Sequence, residues 1–119
     1  MGDKPAGPGA HRLLCDGVDV GPLILADTAR SRGRGLLGTT RVEGAIWLVP
    51  CASVHMMGMK YAIDVATVAA DGTVLDVRTL RPWTGLTLPR RGAHSTVEAM
   101  PGFLAGHGIR VGSRLEVGP

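Results

Sequence analysis

Apolar residues along this chain fall in short blocks, cut by glycines and prolines, a pattern of many turns and few long helices that favours β structure. Residues 11–15, His-Arg-Leu-Leu-Cys, and 20–25, Val-Gly-Pro-Leu-Ile-Leu, flank Asp16-Gly17, a pair suited to a tight turn, and predict a first hairpin. Asp27 or Thr28 can cap a brief helix over 29–37, where Ala29, Leu36 and Leu37 face inward and Arg30 and Arg34 share a solvated side. Gly33, Gly35 and Gly38 keep that helix short.

The run 45–49, Ala-Ile-Trp-Leu-Val, is a strand ended by Pro50. The strongest signal spans 62–69 and 73–80 around Asp71-Gly72, a central hairpin with Ile63 and Val65 on one face and Asp64 on the other. Residues 81–92 form a long loop carrying Pro82, Trp83, Gly85, Pro89, Arg90 and Arg91. A further strand over 94–99 leads to a one- or two-turn helix over 103–107, which Pro101 introduces and Gly108 ends, and a last strand closes the chain. Seven or eight short strands and two small helices predict an α+β fold of mostly antiparallel β structure, a compact small barrel or sandwich.

The chain has 119 residues, room for one core and not two, so a single domain is expected from residue 11 to 119 after a disordered tail at 1–10. With only Trp47, Tyr61, Trp83 and Phe103 as aromatics, the interior relies on Val, Leu, Ile, Ala and Met. A formal charge of +3 is too modest to argue for nucleic acid, and a solvated helix face accounts for Arg30, Arg32, Arg34 and Arg41. No apolar stretch is long enough to span a bilayer and the opening residues lack the apolar centre of a signal peptide, so a cytoplasmic protein is expected, a monomer or weak dimer. Cys15 and Cys51 lack zinc or redox spacing; we read them as reduced thiols, a mutual disulfide being the alternative.

Reactive side chains concentrate between residues 51 and 64: Cys51, Ser53, His55, Met56, Met57, Met59 and Asp64. Thiol, imidazole and thioether together have the chemistry of a copper(I) site. In an extended strand, however, Met56 points away from His55 and Met57, and methionine is needed as core filler. No metal and no cofactor are therefore expected. Asp64, mid-strand among apolar residues, is either an acceptor for backbone N–H groups or an arginine, or a ligand-recognising group. The segment Arg32-Gly33-Arg34-Gly35-Leu36-Leu37-Gly38 lacks the Lys-Ser/Thr ending of a phosphate loop.

In these residues and several others the chain resembles the DUF192 family, also called UPF0127. The likeness runs from about residue 26 to 117. It rests on Arg32-Gly33-Arg34-Gly35-Leu36-Leu37, similar to the family's Arg-x-x-Gly-Leu-Met; on residues 54–64; on Asp71-Gly72; and on Val97-Glu98 through Gly112. Many relatives carry Phe-Trp-Met-Lys-Asn-Thr-x-x-Pro-Leu-Asp in the centre, whereas this chain is similar to a branch with Ser-Val-His-x-x-Gly-Met-x-x-x-Ile-Asp. Met56 and Met57 stand where that branch often has Thr-Phe, and Ala62 replaces the usual Pro. The resemblance implies a small β-rich fold and brings no established activity or cofactor.

The functional expectation is a non-catalytic domain that binds a small polar ligand or a protein through Arg32, His55, Asp64, Trp83 and Glu98, without nucleic acid and without a membrane span. One alternative is a hydrolase-like enzyme with His55 as general base oriented by Asp64 or Glu98. Another is a structural partner in a secretion- or pilus-type assembly, for which an exposed apolar patch rather than a cleft is the sign.

Overall fold

The computed structural model describes residues 4–119 and contains nine strands and two short helices. Asp16-Gly17 joins β2 (His11–Cys15) to β3 (Val18–Ala26), and Thr28 starts α1 (Ala29–Arg34) through a capping box, accepting from the Ser31 backbone N–H while the Ser31 hydroxyl accepts from that of Thr28, both at 3.0 Å. β5 (Ala45–Leu48) follows, then the hairpin of β6 (Ile63–Ala69) and β7 (Val74–Leu80), β8 (Ala93–Ala99), α2 (Phe103–Gly106) and β9 (Leu115–Gly118).

Seven strands form one sheet in the order β7-β6-β8-β5-β3-β2-β9, antiparallel except for the parallel pair β3 and β5 that α1 bridges. The sheet curls until Thr73 meets Arg114 in an isolated bridge and Val74 N–H donates to the Ser113 carbonyl, yet β7 and β9 do not pair along their length. The result is sandwich-like; the barrel alternative is not realised.

Two strands come as a correction. β1 (Lys4–Ala6) and β4 (Thr39–Val42) pair in parallel as a separate two-stranded sheet, and the Glu43 N–H donates to the Ala6 carbonyl at 2.9 Å. Residues 4–6, expected within a disordered tail, are therefore held by backbone hydrogen bonds that need no apolar pattern; residues 1–3 of that tail lie outside the described residues. Among the described residues no helix is long and apolar enough to cross a membrane.

Alternation along the central strands divides the interior in two. One cluster holds Leu13, Leu23, Trp47, Ala66, Val68, Val97 and Leu115, with Leu104 of α2 packed in. The other holds Leu36, Ile46, Leu48, Met56, Met59, Ile63, Val65 and Leu80. Methionine does fill core space here, and Met56 is fully enclosed. Trp47 Nε1–H finds Ser95 Oγ at 2.7 Å, satisfying the buried indole.

The Asp71-Gly72 turn ties the β6–β7 hairpin to the far edge of the sheet. Gly72 has φ +92°, a Cβ there would sit 2.4 Å from the Leu115 carbonyl oxygen, and its own carbonyl accepts from Leu115 N–H at 2.8 Å. Gly72→Ala combines left-handed backbone strain with a backbone clash, and we expect it to cost at least about 2 kcal/mol, read as a lowered midpoint in urea unfolding; a loss below half that value contradicts the assigned turn geometry.

Candidate functional site

Pairing of β8 with β5 on one edge and β6 on the other sets where the two central carboxylates go. Glu98 lies opposite Ile46 and Val65, both in the second apolar cluster. Asp64 lies opposite Ala99, a member of the first. The two acids thus leave opposite faces of the sheet.

Asp64 is buried and fully employed. Its carboxylate accepts from the Thr79 hydroxyl at 2.6 Å and from the Gly102 N–H at 2.8 Å, anchoring the approach to α2. That matches the backbone-acceptor reading, and Asp64 does not line the cavity that Glu98 lines. Trp83 also stands apart: it sits in the loop 81–92 with φ +67°, is 59% exposed, and its backbone N–H donates to the Met56 carbonyl at 3.0 Å. Leu86 and Leu88 of the same loop are exposed as well.

The remaining three candidates meet. Arg32, His55 and Glu98 line one cavity of about 150 Å³ between the end of α1 and the segment 51–59, together with Gly33, Gly35, Leu37, Leu48, Cys51, Ser53, Val54, Met57 and Met59. Arg32 is oriented from its Nη1, which donates to the Asp27 carbonyl at 3.2 Å and the Val49 carbonyl at 3.3 Å. Gly35 ends α1 with φ +48°, and a Cβ on it would stand 3.9 Å from Glu98 Oε1, so backbone alone roofs the carboxyl on that side.

Of the two buried carboxylates among the described residues, Asp64 is engaged and Glu98 is not. Glu98 is 4% exposed, and no ion pair or side-chain hydrogen bond engages its carboxyl among the described residues. Among the described residues no fully enclosed polar side-chain atom lacks a partner, so the Glu98 oxygens open onto the cavity. Burial raises its pKa from 4.5 to about 7, with no compensating contact. Nearby, Tyr61 bonds to Thr39 Oγ1 at 2.7 Å; burial first, and then the Glu98 charge, push its phenol up against the opposing pull of that hydrogen bond.

The Met-rich run is arranged differently from a simple strand alternation. Met56 is enclosed and Met57, 68% exposed, shares the cavity with His55, as alternation predicts. A turn at Met57-Gly58, with Gly58 at φ +87°, then brings Met59 back to the same cavity, which Cys51 also lines. Among the described residues no three His, Cys, Asp or Glu side chains are grouped to hold a metal ion. Cys51 Sγ donates to the Ser53 carbonyl at 3.2 Å, Cys15 belongs to the other cluster, and both thiols are free.

A wider hollow of about 550 Å³ lies on the other side of the sheet, lined by Leu25, Trp47, Val49, His94, Ser95 and Glu116 among others. Its one buried polar side chain, Ser95, already bonds to Trp47. The smaller cavity carries the unmet chemistry. Cys51, Met57 and Met59 were weighed as metal ligands and not as lining residues, and Gly35 was read as a helix breaker and not as the roof of a cavity.

Residues 17–117 match the family described as DUF192, Uncharacterized ACR. The chain belongs to the DUF192 family. A UPF0127 protein of Thermococcus sibiricus is 30% identical over 105 residues, 83% of this chain and 68% of the relative. Another, from Pyrococcus furiosus, is 38% identical over 65 residues, 55% of each. Among solved structures, this DUF192 domain is similar to a protein of unknown function from Novosphingobium aromaticivorans, with TM-score 0.68 at 23% identity over 80% of this chain and 74% of that one. It is also similar to a Sinorhizobium meliloti protein described as a candidate transcription regulator, with TM-score 0.71 at 20% identity over 90% and 91%. These two likenesses concern the fold alone.

Two predictions come from the two acids. Asp64→Ala leaves the Gly102 N–H and Thr79 hydroxyl without their acceptor, and we expect a loss of about 2–3 kcal/mol in chemical unfolding, with the pocket methyl resonances little moved. Glu98 holds its proton more tightly when folded, so its contribution to stability is fully present below pH 4.5 and lost as pH rises to about 7. The loss amounts to at most about 3 kcal/mol. Glu98→Gln should flatten that slope and be more stable than the native chain at pH 8, with the gap shrinking toward pH 5; unfolding curves at pH 5, 6, 7 and 8 that run parallel for both proteins would sink the assignment.

Proposed function

We propose that this DUF192 domain is a non-catalytic binding module whose cavity, built on Arg32, His55 and Glu98, receives a small polar ligand. The observation that carries the reading is the unpartnered Glu98 carboxyl. A carboxyl on an apolar sheet face, with no partner of its own, costs stability that a hydrogen-bonding guest restores. The wall supplied by Leu37, Leu48, Met57 and Met59 suits the apolar part of such a guest, and cavities with a few convergent polar groups in an apolar lining are the usual form of small-molecule sites. The free thiols of Cys15 and Cys51 favour the cytoplasm as its compartment.

The hydrolase alternative draws on the same cavity, since His55 and Glu98 both line it. Asp64, on the far face, supplies no orienting carboxylate, and no hydrogen bond joins His55 to Ser53, Cys51 or Glu98 among the described residues. Exposed Trp83, Leu86 and Leu88 offer apolar surface to a protein partner, yet carry no group comparable to Glu98.

Methyl-resolved NMR tests the binding reading with a panel of compact probes: acetamide, imidazole, acetate, methylammonium and L-alanine. At least one should shift the Leu48, Met57 and Met59 methyls saturably in the native protein, and Met57→Trp, which plugs the mouth at an exposed position, should abolish the shift. Absence of any saturable shift rejects the reading. Hydrolysis of p-nitrophenyl acetate that His55→Ala removes would replace it with the enzyme alternative.

A further inference from the structure

Arg32 and Glu98 are both half-used, in complementary ways. A guanidinium has five N–H donors. The two on Nη1 of Arg32 are directed at the Asp27 and Val49 carbonyls, which leaves the edge formed by Nε and Nη2 without a partner among the described residues. That edge is the one that grips a carboxylate through two parallel hydrogen bonds. The same small cavity is lined by Glu98, whose carboxyl has no hydrogen-bond or ion-pair partner among the described residues. A guest that carries an anionic group and an N–H-bearing cation close together satisfies both with charge-assisted hydrogen bonds.

The size of the cavity limits how far apart those groups stand. A hollow of about 150 Å³ is the size that encloses a benzene-sized guest of roughly six heavy atoms. Between two such polar ends there is space for one or two carbons and a short aliphatic branch against Leu37, Leu48 and Met59.

We propose that the cavity recognises a compact zwitterion of the α-amino-acid type, its carboxylate on the Nε–Nη2 edge of Arg32 and its ammonium on Glu98, with a short apolar side chain on the leucine and methionine wall. The proposal rests on the binding reading above and narrows it to one ligand class. Ammonium binding requires Glu98 ionised, so affinity rises with pH through the neutral range. The other titratable or charged groups around that carboxyl are Arg32 from α1 and Cys51, His55 and Tyr61 from the segment that follows β5.

Four probes dissect the two contacts: L-alanine, acetate, methylammonium and N,N,N-trimethylglycine, the last a zwitterion without an N–H donor. We expect L-alanine to bind at least tenfold more tightly than each of the other three in methyl chemical-shift titrations, and more tightly at pH 8 than at pH 5.5. Glu98→Gln should weaken it tenfold or more at pH 8, and Arg32→Lys, which keeps the charge and loses the flat edge, should do the same. Acetate equal to L-alanine would reduce the site to Arg32 alone, methylammonium equal to it would reduce the site to Glu98 alone, and trimethylglycine equal to it would remove Glu98 as the ammonium partner; each overturns the proposal. No binding by L-alanine while acetamide or imidazole binds also overturns it and leaves the pocket reading intact, whereas silence from every probe rejects both. An unchanged L-alanine affinity in both variants places the amino acid elsewhere and is equally fatal.

Discussion

Backbone pairing on both edges of β8 is the constraint from which the rest follows. A strand hydrogen-bonded on each side cannot rotate about its axis, so every side chain in it is committed to one face. Val97 and Ala99 enter one apolar cluster, and Glu98 is sent the other way between Ile46 and Val65. The surrounding architecture accommodates that committed charge. α1 stops at a glycine above it, the segment after β5 bends around it, and space is left between them.

The hydrophobic pattern made most strands legible because their signals are local. Asp16-Gly17 and Asp71-Gly72 mark turns by their own conformational preferences, and Thr28 caps α1 through an atom three residues away. β1 and β4 escaped for the complementary reason. Lys4-Pro5-Ala6 and Thr39-Thr40-Arg41-Val42 are short and mostly exposed, so no alternation announces them, and what holds them is hydrogen bonding between segments distant in the chain.

The site was legible in part. Arg32, His55 and Glu98 were noticed as polar groups in places that demand a reason, and they share a cavity. Asp64 was noticed on the same ground and serves elsewhere, because a period of two reveals that Asp64 opposes Ile63 without revealing which face holds the cavity. Only the register of Asp64 with Ala99, and of Glu98 with Val65, decides that. Likewise, alternation separated Met56 from His55 correctly but could not foresee that the turn at Gly58 returns Met59 to the same place.

Arg32 has a second identity as a fastener. Asp27 opens the crossover that leaves β3 and Val49 follows the neighbouring end of β5, so one nitrogen of this side chain pins the start of the crossover to the rim of the sheet where the two parallel strands end side by side. Parallel strands need such an excursion, and its closure is opposed by chain entropy. A change at this residue is therefore felt twice, once in the lining of the cavity and once in how firmly the excursion is fastened where it leaves the sheet.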